Sequence, residues 1–275
     1  MNTIDTIIHA DVLDGLKRIS DNSVSLVTTS PPYNCDIPYG VHNDKMPYAE
    51  YLKWLKEIWK ECYRVLRPGG RLVVNIDSMV NHEEDRFAEK ADDTGKEYFR
   101  PVYADLCNMN EAIGFNFRCD IAWDKHQVVG RATAWGSYAS PSNPIIRRRH
   151  EYLLVWNKGP WRLDPSVEGA KPDLTGEEFQ QWSMSYWPIQ PETQNRGGHP
   201  VPFPERLVRR VIKMFSYPGD VVLDPFSGSG TTCLTAKLLR RKYIGIELSE
   251  KWVEYSNNRI NEESEDMFEG VGTDA

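Results

Sequence analysis

The chain of 275 residues has no apolar run approaching the roughly 18 residues that a membrane-crossing helix needs. Its opening, "MNTIDTIIHADVLDG", lacks the basic-then-apolar layout of an export signal. A cytoplasmic protein without a membrane partner is the expectation. Cysteine is scarce as well. Cys35, Cys62, Cys107, Cys119 and Cys233 are scattered, with no C-x-x-C pair and no cysteine–histidine spacing of a zinc site, so they read as reduced, mostly core thiols and no metal is expected. Nor is there an excess of positive charge: the formal net charge is −7, which at first sight argues against a nucleic-acid partner, because phosphate contacts dominate that affinity. The distribution changes this. Residues 261–275 hold six acids and no bases, and the rest of the chain is nearly balanced, with 34 acids against 33 bases. That end reads as a solvated, partly disordered acidic tail. What remains is ordinary for a globular protein, 40% hydrophobic and 27% charged, and long enough to bury a sizeable core.

The first part alternates strand and helix. "TIIHADVLDGLKRI" predicts a short strand and a helix, "VSLVTTS" a strand, and "YAEYLKWLKEIWKECYRVL" a long helix with apolar residues recurring at three and four. "RPGG" predicts the end of that helix, with glycine at the C-terminal position, and "RLVVNI" the next strand. Residues 78–100 read as a long polar loop, "YADLCNMNEAIGF" as a helix, and "FRCDIAWDK" and "HEYLLVWNK" as strands. Between those strands, and again over 159–195, lie irregular stretches mixing glycine, serine and proline with aromatic and basic residues. The final third returns to helix and strand around "DVVLDPFSGSGTT" and "KYIGIELS". Alternating strands and helices imply a parallel sheet covered on both faces.

Two strand ends carry candidate chemistry. "VVLDPFSGSGTT" places Asp224 at the end of a strand, with Gly228 and Gly230 before a helix opening at Thr231, so that backbone and helix N–H groups can approach a ligand closely. The stretch is neither the G-x-G-x-x-G dinucleotide pattern nor a phosphate loop ending in G-K-[ST]. Glu247 ends the next strand, where an acid can hydrogen-bond ribose hydroxyls. A nucleoside ligand without a pyrophosphate fits best. The other strand end is "TTSPPYN", Thr28 to Asn34, at the carboxyl end of a buried strand, where open α/β sheets bind ligands.

Together these segments resemble the S-adenosylmethionine-dependent DNA amino-methyltransferases. "TSPPYN" is similar to the family's catalytic motif, "DPFSGSGTT" to its cofactor loop, and "IGIEL" to its ribose-binding acid, while "HPVPFPERL" resembles the segment that precedes the cofactor loop. The motif order, catalytic before cofactor-binding, is that of the beta class. The resemblance implies a Rossmann-like methyltransferase fold: a mostly parallel twisted sheet with helices on both faces and an irregular target-recognition insertion. It divides the chain into a catalytic part (1–125), a recognition region (126–195) with an embedded core strand near 150–157, a cofactor-binding part (196–260) and the tail (261–275).

It further implies S-adenosyl-L-methionine bound by Asp11, His199, Phe203, Asp224, Pro225, Phe226, Gly228, Gly230, Thr231 and Glu247, with Asp11 also a candidate helix cap. The catalytic set is Ser30, Pro31, Pro32 and Tyr33. An exocyclic amino group is a poor nucleophile because its lone pair is delocalised into the ring. In the resembled mechanism the Ser30 hydroxyl and the Pro31 carbonyl accept its two N–H bonds and push the nitrogen towards tetrahedral geometry, while Tyr33 stacks on a base flipped out of duplex DNA. Serine, rather than aspartate, at the first motif position tilts the reading towards the N4 amino group of cytosine, as does "TAWGSYASPSNP", which resembles a segment of cytosine-modifying relatives. Adenine N6 is the alternative; an RNA or protein methyltransferase, or a silent DNA-binding regulator, is a remoter one. Arg131, Trp135, Ser142, Asn143, Arg147, Arg148 and Arg149 are the candidate DNA contacts. A cognate restriction endonuclease and a second copy of the chain are the further partners that the resemblance suggests.

Overall fold

The computed structural model describes residues 3–35, 44–77, 80–81, 99–126, 137–142, 144, 146, 148–192 and 203–269. Its centre is an eight-stranded sheet. In chain order the strands of this sheet are β1 (Thr6–His9), β2 (Val24–Thr29), β3 (Leu66–Ile76), β6 (Phe115–Asp124), β7 (His150–Lys158), β8 (Tyr186–Pro188), β9 (Val221–Asp224) and β10 (Lys242–Glu247). Their spatial order is β1-β10-β9-β2-β3-β7-β6-β8, with only β7 antiparallel to its neighbours. A separate two-stranded ladder joins β4 (Val80–Asn81) to β5 (Phe99–Arg100), so the polar stretch expected as a loop has paired ends.

Alternation along the strands divides the core between the two faces. On β3, Leu72 and Val74 join one cluster and Val73 the other. Helices α1 (Val12–Leu16), α2 (Tyr48–Val65) and α3 (Val102–Ile113) cover the first face, where α2 buries a stripe of Tyr51, Leu55, Ile58, Trp59, Cys62 and Val65. Helices α5 (Glu205–Phe215) and α6 (Thr231–Leu238) cover the second face, and α7 (Glu250–Glu269) packs against α6 and β1. Among the described residues no helix is long and apolar enough to cross a membrane.

Several expectations are corrected here. Helix α2 ends at Val65, and "RPGG" already lies within β3. Gly69 has φ +78°, and a Cβ there would stand 2.2 Å from the Arg162 carbonyl oxygen. The glycine is required by the close passage of another backbone, not by a helix end. The acidic end begins as helix, since α7 continues to Glu269. Of the five cysteines only Cys62 and Cys233 are buried, and Cys35 is exposed.

The irregular stretch after β7 takes a course that composition did not reveal. The Trp161 carbonyl accepts from Arg71 at 2.6 Å, Ser166 N–H donates to Asp220 at 3.0 Å, and Asp173 accepts from Arg241 at 2.8 Å. Asp220 and Arg241 immediately precede β9 and β10, and Arg71 of β3 pairs with Leu26 near the start of β2, so residues 161–173 strap the end of the sheet opposite the two motifs. Helix α4 (Gly176–Trp182) then docks on α5 through Lys213 and Glu178, and β8 returns along the outer edge of β6. Trp187 of β8 is buried in the core of the second face and donates to the Trp182 carbonyl at 3.0 Å.

Candidate active site

The chain leaves β2 towards β3 on one side and leaves β9 towards β10 on the other, so β2 and β9 flank a topological switch point where ligands bind in open α/β sheets. The two strand ends are clamped together: Thr29 Oγ1, the last residue of β2, donates to Asp224 Oδ1, the last of β9, at 2.6 Å in a buried setting. "SPPY" leaves one strand and "PFSGSG" the other. Both loops face a single cavity of about 450 Å³.

Of the residues expected from the sequence, Ser30, Pro31, Pro32 and Tyr33 line this cavity together with Asp11, Phe203, Asp224, Pro225, Phe226, Gly228, Thr231 and Glu247. Gly230 stands one step behind, at the N-cap of α6 with φ +75°, where a Cβ would stand 2.7 Å from that of Ser256. Asp11 caps α1 by accepting from Leu13 N–H at 3.0 Å and also lines the cavity. His199, Arg131, Trp135, Asn143 and Arg147 lie outside the described residues.

Charge in the site is shaped by burial. Burial pushes the Asp224 carboxyl up to about 6, against hydrogen bonds from Thr29 and from the Phe226 N–H that pull the other way. Glu247 is also raised by burial, although the Gly228 and Ser249 N–H groups reach its two oxygens at 3.0 and 2.8 Å. The Leu248 N–H is a further donor to this carboxylate, which lines the cavity and keeps acceptor capacity for a ligand hydroxyl. Burial and the nearby Glu151 charge raise Tyr33 well above a normal phenol, so it stays a hydrogen-bond donor.

The catalytic loop is held from behind. Tyr51 donates to the Pro32 carbonyl at 2.8 Å. Asn34, at φ +59°, accepts from Met46 N–H and donates to the Met46 carbonyl, each at 2.7 Å. Asp44 receives the Asn34 and Cys35 N–H groups at 2.8 and 3.0 Å.

Sequence reasoning missed Trp54, Asp77, Glu151 and Trp252, all of which line the cavity. Trp54 packs its ring 5.6 Å from that of Phe226. Asp77 follows β3 directly and could have been found by the strand-end rule applied to "RLVVNID". Glu151 escaped that rule because β7 runs backwards, which brings the start of the strand, not its end, to the site.

The candidate DNA contacts are divided. Ser142 is exposed, and its hydroxyl pairs with Ser137 at 2.8 Å. Arg148 lines the cavity and pairs with Asp77 at 2.9 Å. Arg149 forks onto Asp124 at 2.9 and 3.2 Å while remaining more than half exposed. Burial would raise Asp124, but the Tyr186 hydroxyl, the His126 N–H and Arg149 outweigh it and hold the carboxyl well below its usual range. The group stays ionised and keeps Arg149 in place.

A doubly wound sheet with a glycine loop after one strand, an acid after the next and a Ser-Pro-Pro-Tyr loop facing the same cavity defines an S-adenosyl-L-methionine-dependent methyltransferase. The cavity fits that donor by its chemistry. It offers the Glu247 carboxylate for a ribose diol, the Asp224 carboxylate for a cation, and apolar walls at Phe203, Phe226 and Trp252.

Comparison with known proteins agrees. The DNA methylase family model for N6 and N4 methyltransferases matches residues 24–258. M.HpaI, a type II methyltransferase of Haemophilus parainfluenzae, is 29% identical over 273 residues, covering 94% of this chain and 74% of that protein. M.MjaVI of Methanocaldococcus jannaschii, also a type II methyltransferase, is 33% identical over 189 residues, covering 69% of this chain and 87% of that protein. Among solved structures, TTHA0409 of Thermus thermophilus, assigned as a DNA modification methylase and solved with S-adenosyl-L-methionine, aligns with a TM-score of 0.74 at 31% identity, covering 94% of this chain and 93% of that one. The PvuII cytosine-N4-specific DNA methyltransferase shares the fold, with a TM-score of 0.66 at 21% identity over 96% of this chain and 94% of that one. The chain belongs to the DNA methylase family and is a DNA amino-methyltransferase of the beta class.

Proposed function

We propose that this enzyme transfers the methyl group of S-adenosyl-L-methionine to the N4 amino group of a cytosine flipped out of duplex DNA. The observation that carries the reading is the convergence of Ser30, Pro31 and Tyr33 with Asp224 and Glu247 on one cavity. The sulfonium of the donor supplies an electrophilic methyl group, and the protein has to make the amino nitrogen nucleophilic and aim it. Ser30 Oγ and the Pro31 carbonyl accept the two amino N–H bonds, and the proline pair restricts the backbone that presents that carbonyl. Tyr33 stacks on the extruded base, recovering about 1–3 kcal/mol of the few lost on unstacking. Glu247 binds the ribose hydroxyls, and Phe203, Phe226 and Trp252 wall the donor.

Recognition falls to the rim that carries Arg148 and Arg149, with Ser142 a further candidate contact; Arg131, Trp135, Asn143 and Arg147 are candidate contacts from the sequence alone. The strap over 161–173 is too far from the strand ends to share in it. Serine at the head of the catalytic motif supports cytosine over adenine. By likeness to the type II relatives, the enzyme acts in the cytoplasm as the protective half of a restriction–modification pair, with a cognate endonuclease. We place it as a homodimer in solution, a reading that light scattering giving only monomer mass at assay concentrations would end.

The decisive experiment is incubation with methyl-labelled donor and unmodified genomic DNA, digestion to nucleosides and mass spectrometry. N4-methylcytosine is the expected product. N6-methyladenine would keep the mechanism and reverse the base.

A further inference from the structure

Behind Tyr33 lies a polar cluster that the reading above does not use. Ser30 Oγ donates to Tyr33 Oη at 3.2 Å, and Tyr33 Oη has two acceptors within reach, Asn75 Oδ1 at 3.1 Å and Glu151 Oε2 at 3.3 Å. The amide of Asn75 is itself oriented by Glu151, because its Nδ2 donates to Glu151 Oε2 and to the Tyr152 carbonyl, each at 3.2 Å. Lys125 pairs with the other Glu151 oxygen and, with its ammonium 4.7 Å from the Trp123 ring centre, closes the cluster. Asn75 and Glu151 are 2% and 8% exposed. Buried polar groups this dry are held by their partners.

We propose that Glu151 is a positioning residue for methyl transfer: as the terminal acceptor of the chain Ser30 to Tyr33 to Glu151, it turns the Ser30 lone pairs towards the target amino group. The inference rests on the reading of Ser30 as an amino-group acceptor. A hydroxyl has one proton and two lone pairs. With a carboxylate at the far end, the Tyr33 proton points at Glu151 or at the Asn75 oxygen that Glu151 keeps facing it. Tyr33 Oη is then free to accept from Ser30, and Ser30 spends its proton there and meets the substrate with lone pairs alone. Without the carboxylate, the Asn75 amide can turn its N–H to Tyr33, the tyrosine can donate to Ser30, and the serine proton is driven at the amino group it should accept from. Lys125 keeps the buried charge tolerable, since an ion pair offsets much of its desolvation.

The test is a double-mutant cycle in single-turnover transfer from methyl-labelled S-adenosyl-L-methionine to unmodified genomic DNA. Glu151→Gln and Tyr33→Phe should each slow transfer about 10- to 100-fold, the worth of a hydrogen bond to a charged group, with cofactor and DNA affinities unchanged. The double variant should be no slower than the slower single one, because both cut the same chain. Transfer at the wild-type rate in Glu151→Gln, or losses that multiply in the double variant, would overturn the proposal. Should Glu151→Gln fail to fold, Tyr33→Phe, which keeps the stacking ring, decides alone: a wild-type rate there overturns it. A wild-type enzyme that labels no DNA brings down the underlying reading instead, an outcome distinct from labelled DNA with an unimpaired variant.

Discussion

Asp224 and Thr29 meet at the switch point, where their hydrogen bond joins the ends of β9 and β2. Asp224 is nearly dry, at 4% exposure, and burial lifts its pKa to about 6. An acid whose pKa is raised in the folded state stabilises the fold below its unfolded pKa of roughly 4 and loses that stability as pH rises through about 6. The full effect is on the order of 3 kcal/mol. Asp224→Asn removes this titration. Thermal unfolding of the ligand-free variant should therefore show a stability gain over wild type that grows from pH 4 to pH 7 and then levels. A constant difference across that range would show that Asp224 ionises no differently in the folded and unfolded chains. The same variant should bind S-adenosyl-L-methionine more weakly at pH 7.5, measurable by calorimetry, because the ionised carboxylate faces a cationic donor. Residues of this kind were legible from sequence because they end strands in a predictable register. Glu151 was not, for it depends on one strand being reversed, and Trp54 was not, for on a helical stripe it reads as core.

At the scale of elements, the helices and core strands were set by apolar periodicity and appear near where it placed them. The strap did not follow from periodicity, since it is held by side-chain bonds to carbonyls and carboxylates far away in sequence. Short α4 carried a readable signal in "TGEE", the capping box in which Thr175 and Glu178 satisfy each other's N–H groups. "RPGG" shows the opposite case, where a correct local cue pointed to the wrong cause. Gly69→Ala tests that cause. A Cβ 2.2 Å from the Arg162 carbonyl at a backbone φ of +78° must displace the strap, at about 2–4 kcal/mol. Chemical denaturation should register the loss, while cofactor affinity of the folded variant should match wild type, because the strap and the cavity lie at opposite ends of the sheet.

For the whole molecule, the overall charge of −7 is a poor guide to a DNA-acting enzyme, and the local arrangement of Arg148 and Arg149 beside the cavity is a better one. The reversal of β7 governs how this rim is built. Asp124, the last residue of β6, pairs with His150, the first of β7, and Lys125 N–H donates to the Arg149 carbonyl at 3.1 Å, so the intervening chain departs and returns at adjacent points. Such a segment is topologically a cassette: its exchange requires no rethreading of the sheet. Replacing residues 127–147 with the equivalent stretch of another family member should give a chimera that folds, binds the cofactor as before and methylates the donor's sites, as mapped by methylation-sensitive sequencing. If the original sites persist, specificity is written elsewhere on the rim. One backward strand would thus let a lineage of such enzymes change the words it marks while leaving the pen untouched.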